Sequence, residues 1–192
     1  MYYQFKMKFM KRNWIKLVVI LGIGTLGFAG LNSCTSLPEG IEAVKGFNQN
    51  KYLGKWYEIA RLDHRFERGL SNVSAEYSVK EDGGIKVLNR GYEDEKGEWS
   101  EAEGKAYFVE STDKAHLKVS FFGPFYGSYV VFKLDDDYQH SYVTGSSRDY
   151  LWFLSRTPTV TPEQKQAFLK KTKELGFDTD ALIFVNQEKN VK

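Results

Sequence analysis

The chain holds a single cysteine, Cys34, among 192 residues. No intrachain disulfide can form, and thiolate metal clusters are excluded. An excess of basic charge is also missing beyond the N-terminus. Five of the 27 Lys and Arg residues fall in residues 1–33, which hold no acid; the remainder sets 22 bases against 25 acids, a net charge of −3. That body offers no general polyanion-binding surface, so nucleic acid is not an expected partner. Catalytic signatures are absent too: there is no Gly-x-Ser-x-Gly elbow, no His-Glu-x-x-His pair and no P-loop. Ser146, Ser147 and Asp149 share a turn but have no evident third partner. Asp135-Asp136-Asp137 lacks the spacing of a calcium loop and reads as a solvated turn. No enzyme activity, metal or cofactor is expected.

A membrane-spanning apolar run is missing as well. Residues 17–24 are apolar, and the Gly-rich continuation ends near Gly30. That is short for a spanning helix, which needs about 20 apolar residues, and suits a secretory signal behind its basic leader. Leu31-Asn32-Ser33-Cys34 follows directly and resembles the lipobox of bacterial lipoproteins. The resemblance implies cleavage after residue 33 and a diacylglyceryl group on Cys34; an uncleaved signal anchor is the alternative. Thr35, which is not an aspartate, implies the outer membrane by the same likeness. Residues 34–48 read as a lipidated tether.

What the chain does have is aromatic residues, 16% of the total, laid out with a period of two. In Gly54-Lys55-Trp56-Tyr57-Glu58-Ile59-Ala60-Arg61, alternate residues fall on opposite faces, the pattern of a strand entered through a glycine. Residues 62–70 break the alternation as a loop. Further strands follow near residues 73–79, 85–92, 99–109, 117–122, 129–134, 138–144 and 150–156, joined by short turns such as Asp82-Gly83-Gly84. Eight strands in a meander predict an all-β, antiparallel, up-and-down barrel spanning about residues 52–157 of a domain at 49–192. Thr161-Pro162-Glu163-Gln164 starts a helix expected over 161–175, with Phe168 and Leu175 turned to the outside of the barrel. Residues 181–185 form a short last strand.

This arrangement, and the motifs set on it, resemble the lipocalin family. Gly54-x-Trp56 matches the first family signature. Asp137-Tyr138, in the turn after the sixth strand, matches the second, and Arg156 after the eighth matches the third. Longer runs, including residues 63–70, 118–127 and 148–152, are similar to the bacterial outer-membrane branch and its apolipoprotein D-like relatives. The likeness implies that Trp56 plugs the closed end and that Arg156 lies across its indole, a favourable contact of roughly 0.5–2 kcal/mol.

Alternation from Trp56 places Glu58 and Ala60 inside the barrel. Matching the other strands to the lipocalin pattern adds Ala75, Tyr77, Val87, Asn89, Ala102, Ala106, Leu117, Val119, Phe121, Tyr129, Val131, His140, Tyr142, Trp152 and Leu154. Several are small, which predicts a cavity rather than a packed core. The mixture of apolar walls with Glu58, Asn89, His140 and tyrosines suits an amphipathic guest. The family implies a fatty acid or lysophospholipid. Phe66, Leu70, Phe125 and Tyr126 are placed at the mouth, where apolar residues suit a greasy entrance or a partner surface. The alternatives are an envelope interaction module with a filled barrel, a homodimer through the Phe125/Tyr126 loop, or, on fold analogy alone, a lipid-modifying enzyme.

Overall fold

Eight strands wind round one axis: β1 (Gly54–Arg61), β2 (Leu70–Val79), β3 (Ile85–Glu93), β4 (Glu98–Phe108), β5 (His116–Ser120), β6 (Gly127–Leu134), β7 (His140–Thr144) and β8 (Leu151–Ser155). Each pairs antiparallel with the next, and β1 pairs with both β2 and β8, so the sheet closes. A ninth strand, β9 (Ile183–Phe184), adds to β1 outside the closure. The computed structural model describes residues 35–191, which belong to one compact unit. The expected signal peptide and Cys34 lie outside the described residues. No helix among the described residues is long and apolar enough to cross a membrane.

One helical turn, α1 (Gln49–Tyr52), precedes β1; the sequence gives little sign of it beyond Asn48, whose side chain caps it by accepting from the Lys51 amide. The longer helix, α2 (Pro162–Glu174), begins where expected. Thr161 Oγ accepts from the Gln164 amide while the Gln164 side chain accepts from the Thr161 amide. Gly176, at φ +79°, ends it in the left-handed region that favours glycine. A 3-10 turn at Thr179–Ala181 takes the first part of the segment expected as strand.

Two apolar clusters lie on opposite faces of the barrel wall. One fills the lower lumen around Trp56, Tyr77, Val87, Leu117 and Val131. The other lies outside, where Phe168 of α2 stacks on Phe153 at 4.8 Å and meets Tyr142 edge-on at 4.9 Å. The wall under the helix is thus apolar on both sides. Residues 35–48, expected as a tether, pack on the barrel instead. Ile41 and Phe47 are buried, and Val44 exchanges backbone hydrogen bonds with Val131 and Ala115.

Two irregularities shape the upper parts of β1 and β2. Its register against β8 slips between Glu58 and Ala60, and that of β2 against β3 slips between Ser71 and Ser74. The strands separate there, and the C-terminal segment fills the gap. Gln187 Nε2 donates to the buried carbonyls of Glu58 (2.7 Å) and Val73 (2.8 Å), one on each strand.

Candidate ligand-binding site

The signature residues meet at one end of the barrel. Trp56 is fully buried, and the Arg156 guanidinium lies 3.9 Å from its ring centroid. The guanidinium also donates to the carbonyls of Lys51 and Lys55, both at 2.8 Å, and of Tyr138 at 3.2 Å. Gly54, at φ +90°, leaves room beside it: a Cβ there would stand 3.5 Å from Arg156 Nη1. Tyr138 takes φ +57° in its turn and accepts from the Asn48 amide through its hydroxyl. Asp137 is exposed; its carbonyl accepts from Gln139 Nε2. These contacts tie α1, β1, the β6–β7 turn and β8 into a floor.

Above the indole stands a chain of hydroxyls. Tyr52 bonds Tyr129 at 2.7 Å and Ser141 at 3.0 Å, and Tyr77 bonds Tyr129 at 3.0 Å. Burial pushes the Tyr52 phenol up to about 12 and raises Tyr77 and Tyr129 as well, so these hydroxyls keep their protons at ordinary pH. With Val87, Ala106, Leu117, Val131 and Leu154 around them, these side chains fill the lower half.

One step up, the wall changes. Tyr77 pairs with Val87, and Val87 with Gly104; Tyr77 and Val87 are buried. In the next inward row Ala75 pairs with Asn89 and Asn89 with Ala102, and here Ala75 and Asn89 are half-buried while Ala102 is exposed. Val119, Phe121 and Trp152 are likewise half-buried and face inward. The upper half is therefore open. Leu70 packs its side chain towards Gly91 at the rim. Phe66, Phe122 and Phe125 are 62%, 80% and 79% exposed around the mouth.

A polar cluster sits in the wall beside this opening. After the slip in β1, Arg61 instead of Ala60 follows Glu58 inward, because Arg61 is the residue opposite Trp152. Arg61 Nη1 donates to Glu58 Oε1 at 2.7 Å, while Nη2 donates to the carbonyls of Glu67 (2.9 Å) and Leu70 (3.1 Å). The guanidinium thus holds the β1–β2 loop onto the barrel. Glu67 accepts from Trp152 Nε1 at 3.2 Å and stands 3.2 Å from His64 Nε2. Both carboxyls are raised, chiefly by burial; for Glu58 the neighbouring Glu67 adds to the shift, and Arg61 opposes it. One guanidinium faces two buried carboxyls, an arrangement that favours keeping a proton on the pair. His64 is pushed down to about 4, by burial first and then by Arg61, and is neutral.

The inward-facing expectations hold in position for fourteen residues: Glu58, Ala75, Tyr77, Val87, Asn89, Ala102, Ala106, Leu117, Val119, Phe121, Tyr129, Val131, Trp152 and Leu154. Three are corrected. Ala60 pairs with Phe153 and joins the outer cluster, because the register slip reverses its face. Tyr142 also pairs with Phe153, so it lies under α2, while Ser141 and Val143 face the lumen. His140 shares the outer face with Tyr142, and its Nδ1 stands 2.8 Å from Asp135 Oδ2 in a recess beside α2. Among the mouth residues, Tyr126 turns away: its ring lies near Tyr107 and under Lys105 and Lys118 on the outer wall. Arg61, His64 and Glu67 escaped sequence reasoning because they look like a solvated loop; Phe122, in a short aromatic run, could have been added to the mouth.

Comparison with known proteins agrees with this geometry. A family model described as a lipocalin-like domain matches residues 47–187. The chain is 61% identical over 159 residues to outer membrane lipoprotein Blc of Vibrio cholerae serotype O1, covering 82% of this chain and 93% of that protein. It is 49% identical over 175 residues to outer membrane lipoprotein Blc of Escherichia coli K12, with 90% and 98% covered. Apolipoprotein D of Macaca fascicularis is 36% identical over 148 residues, covering 73% of this chain and 74% of that one. Among solved structures, insecticyanin from the tobacco hornworm Manduca sexta superposes with a TM-score of 0.63 at 18% identity, over 79% of this chain and 86% of that one.

Proposed function

The chain belongs to the lipocalin-like family, and on that premise we propose that its open upper lumen holds one small amphipathic lipid, a fatty acid or lysophospholipid, for storage or transfer in the cell envelope. The protein is an outer-membrane lipoprotein of the bacterial envelope, in line with the names of its relatives. Cys34 is the residue proposed to carry the lipid anchor. It is the sole cysteine and follows the apolar leader directly. Two or three acyl chains there would anchor the protein stably, at about 0.8 kcal/mol per buried CH₂.

The observation that carries the ligand reading is the change in the wall from the buried Tyr77–Val87 row to the exposed Ala102 row, beneath a rim of exposed phenylalanines. An acyl chain would take the apolar depth, and its polar head would stay at the mouth near Asn89 and the rim. No nucleophile or metal is needed for this role. Titrating lipid-stripped protein with a lysophospholipid should change tryptophan emission, because half-buried Trp152 faces the lumen. Unchanged emission across the series, with no lipid retained on gel filtration, would overturn the reading.

A second use of the same rim is favoured by the exposure of Phe122 and Phe125, 80% and 79%. Two copies could bury these rings against each other. Sedimentation of the protein with Phe122→Ser and Phe125→Ser changes, beside the unaltered chain, tests it; an unaltered monomer rules it out.

A further inference from the structure

The segment that precedes the barrel is fastened to it along its whole described length. The Asn48 and Phe47 amides donate to the Tyr138 hydroxyl and the Asp113 carbonyl, both at 2.9 Å. Val44 is bonded to Val131 and Ala115, and the Glu39 carbonyl accepts from Arg148 Nη2 at 2.5 Å. Pro38 and Ile41 are buried. Leu37 lines a recess with His116, the first residue of β5, and the Thr35 backbone reaches the His116 imidazole. His116 is 3% exposed and belongs to the outer face, since Leu117 faces the lumen. Cys34 is the next residue back, so its backbone starts about 3.8 Å from a residue held against β5.

What lies along the outer face of β5 from that point suits a phospholipid surface. Lys118 follows His116 on the same face about 7 Å further on, next to Lys105 of β4. Their ammonium groups lie 5.3 and 5.9 Å from the centroid of the Tyr126 ring. Among the described residues neither lysine forms an ion pair, whereas carboxylates nearby are taken: Asp82 by Lys80, Glu103 by Lys86 and Glu110 by Lys114. About 20 Å from His116 the strand runs out into Phe122, and the loop there exposes Phe125 as well. We propose that this wall, from His116 to Phe122, lies along the membrane that holds the anchor, with Lys105 and Lys118 on lipid phosphates and Phe122 and Phe125 in the headgroup layer. This rests on the reading of Cys34 as the acylated residue. Residues 35–48 then act as a strap that fixes the orientation of the barrel, in place of a tether on which it would swing. The mouth beside Phe122 and Phe125 comes to the bilayer surface, where an acyl chain can pass into the lumen with little exposure to water.

The test reads orientation in the mature, acylated chain, reconstituted in vesicles of phosphatidylethanolamine and phosphatidylglycerol. Acylation uses the sole cysteine, so an introduced one alone takes a thiol-reactive, environment-sensitive dye. One chain carries the dye at Gly123→Cys, between the two phenylalanines, where an added Cβ meets nothing within 4 Å. Another carries it at Gln166→Cys, exposed on α2. Dye at 123 should shift to the blue and be quenched by brominated phospholipid, while dye at 166 behaves as it does in water. Lys105→Gln together with Lys118→Gln should lower the docked-to-free ratio read at 123 by about 25-fold, about fivefold for each charge. Equal quenching at both positions overturns the inference, as does quenching at 123 that the two glutamines leave unchanged. Water-like emission at 123 overturns it too, and leaves the phenylalanines to a second copy of the chain. A mature chain whose mass shows no acyl group on Cys34 would overturn the anchor reading, and the inference with it. None of these results bears on whether the lumen holds lipid.

Discussion

Removing the charge of Arg61 should unsettle the barrel far more than removing the charge of either carboxyl beside it. In Arg61→Met, a guanidinium that is 2% exposed gives way to a thioether of similar reach. Its 2.7 Å bond to Glu58 is lost, and the Glu67 and Leu70 carbonyls lose their donor. Breaking a buried pair by taking away one partner costs about 3–5 kcal/mol, because the charge left behind has no counterpart. The carbonyls of buried Glu67 and half-buried Leu70 each lose a donor, and water drawn in from the mouth in place of the guanidinium would keep their cost below the full penalty of about 1–3 kcal/mol each. A total near 4 kcal/mol, at about 2–4 °C per kcal/mol for a domain of this size, lowers the thermal midpoint by roughly 8–16 °C. Glu58→Gln is the contrasting change. If Glu58 and Glu67 hold one proton between them, the glutamine amide reproduces a protonated acid, donating to Glu67 and accepting from Arg61, and costs less than about 1 kcal/mol. Both variants are melted by circular dichroism near neutral pH. Equal losses for the two would refute the shared proton and mean that Glu58 is a full carboxylate paired with Arg61.

Three further outcomes follow from the same contacts. Both carboxyls are raised, so the folded state keeps a proton that the unfolded chain gives up in the ordinary carboxyl range; stability should therefore fall as pH rises from that range towards neutrality, and Glu58→Gln should flatten the fall in a series of urea melts. Replacing Arg156 by Lys removes a planar fork that serves three carbonyls and stacks on Trp56 at 3.9 Å, which should cost roughly 2 kcal/mol by thermal melting and shift tryptophan emission to the red. Gly104→Ala must displace the Phe121 ring or the Ser120 carbonyl, and should cost about 1–3 kcal/mol by urea denaturation; an unchanged midpoint would mean that the wall yields freely there.

Much of the fold could be read from the residues because most of the wall has one apolar face. Where strands alternate cleanly, as in β3 and β5, the phase read from the sequence matches the phase observed. The helix start was legible from its capping box, and the floor from Gly54, Trp56, Tyr138 and Arg156. The failures have two physical causes. A bulge changes phase without changing composition, and the slip after Glu58 exchanged Ala60 for Arg61 in the lumen. In β7, burial on both faces removes the contrast that alternation depends on: Tyr142 packs beneath α2 while Val143 fills the interior, so either phase looks acceptable. The polar cluster of the site was hidden for a further reason. Arg61, His64 and Glu67 are ionisable residue types in or beside a glycine-containing loop, the pattern of a solvated turn, yet all three are buried because the loop folds back on Trp152.

The most direct test of the lipid-binding lumen is native mass spectrometry of the protein body from Thr35 onward, before and after delipidation. The account predicts a bound mass in the range of a fatty acid or lysophospholipid that leaves on stripping, returns on addition of the lipid, and binds one per chain. A body that emerges empty and refuses every such amphiphile would contradict it, and would direct attention to the exposed phenylalanine rim as a surface for another protein.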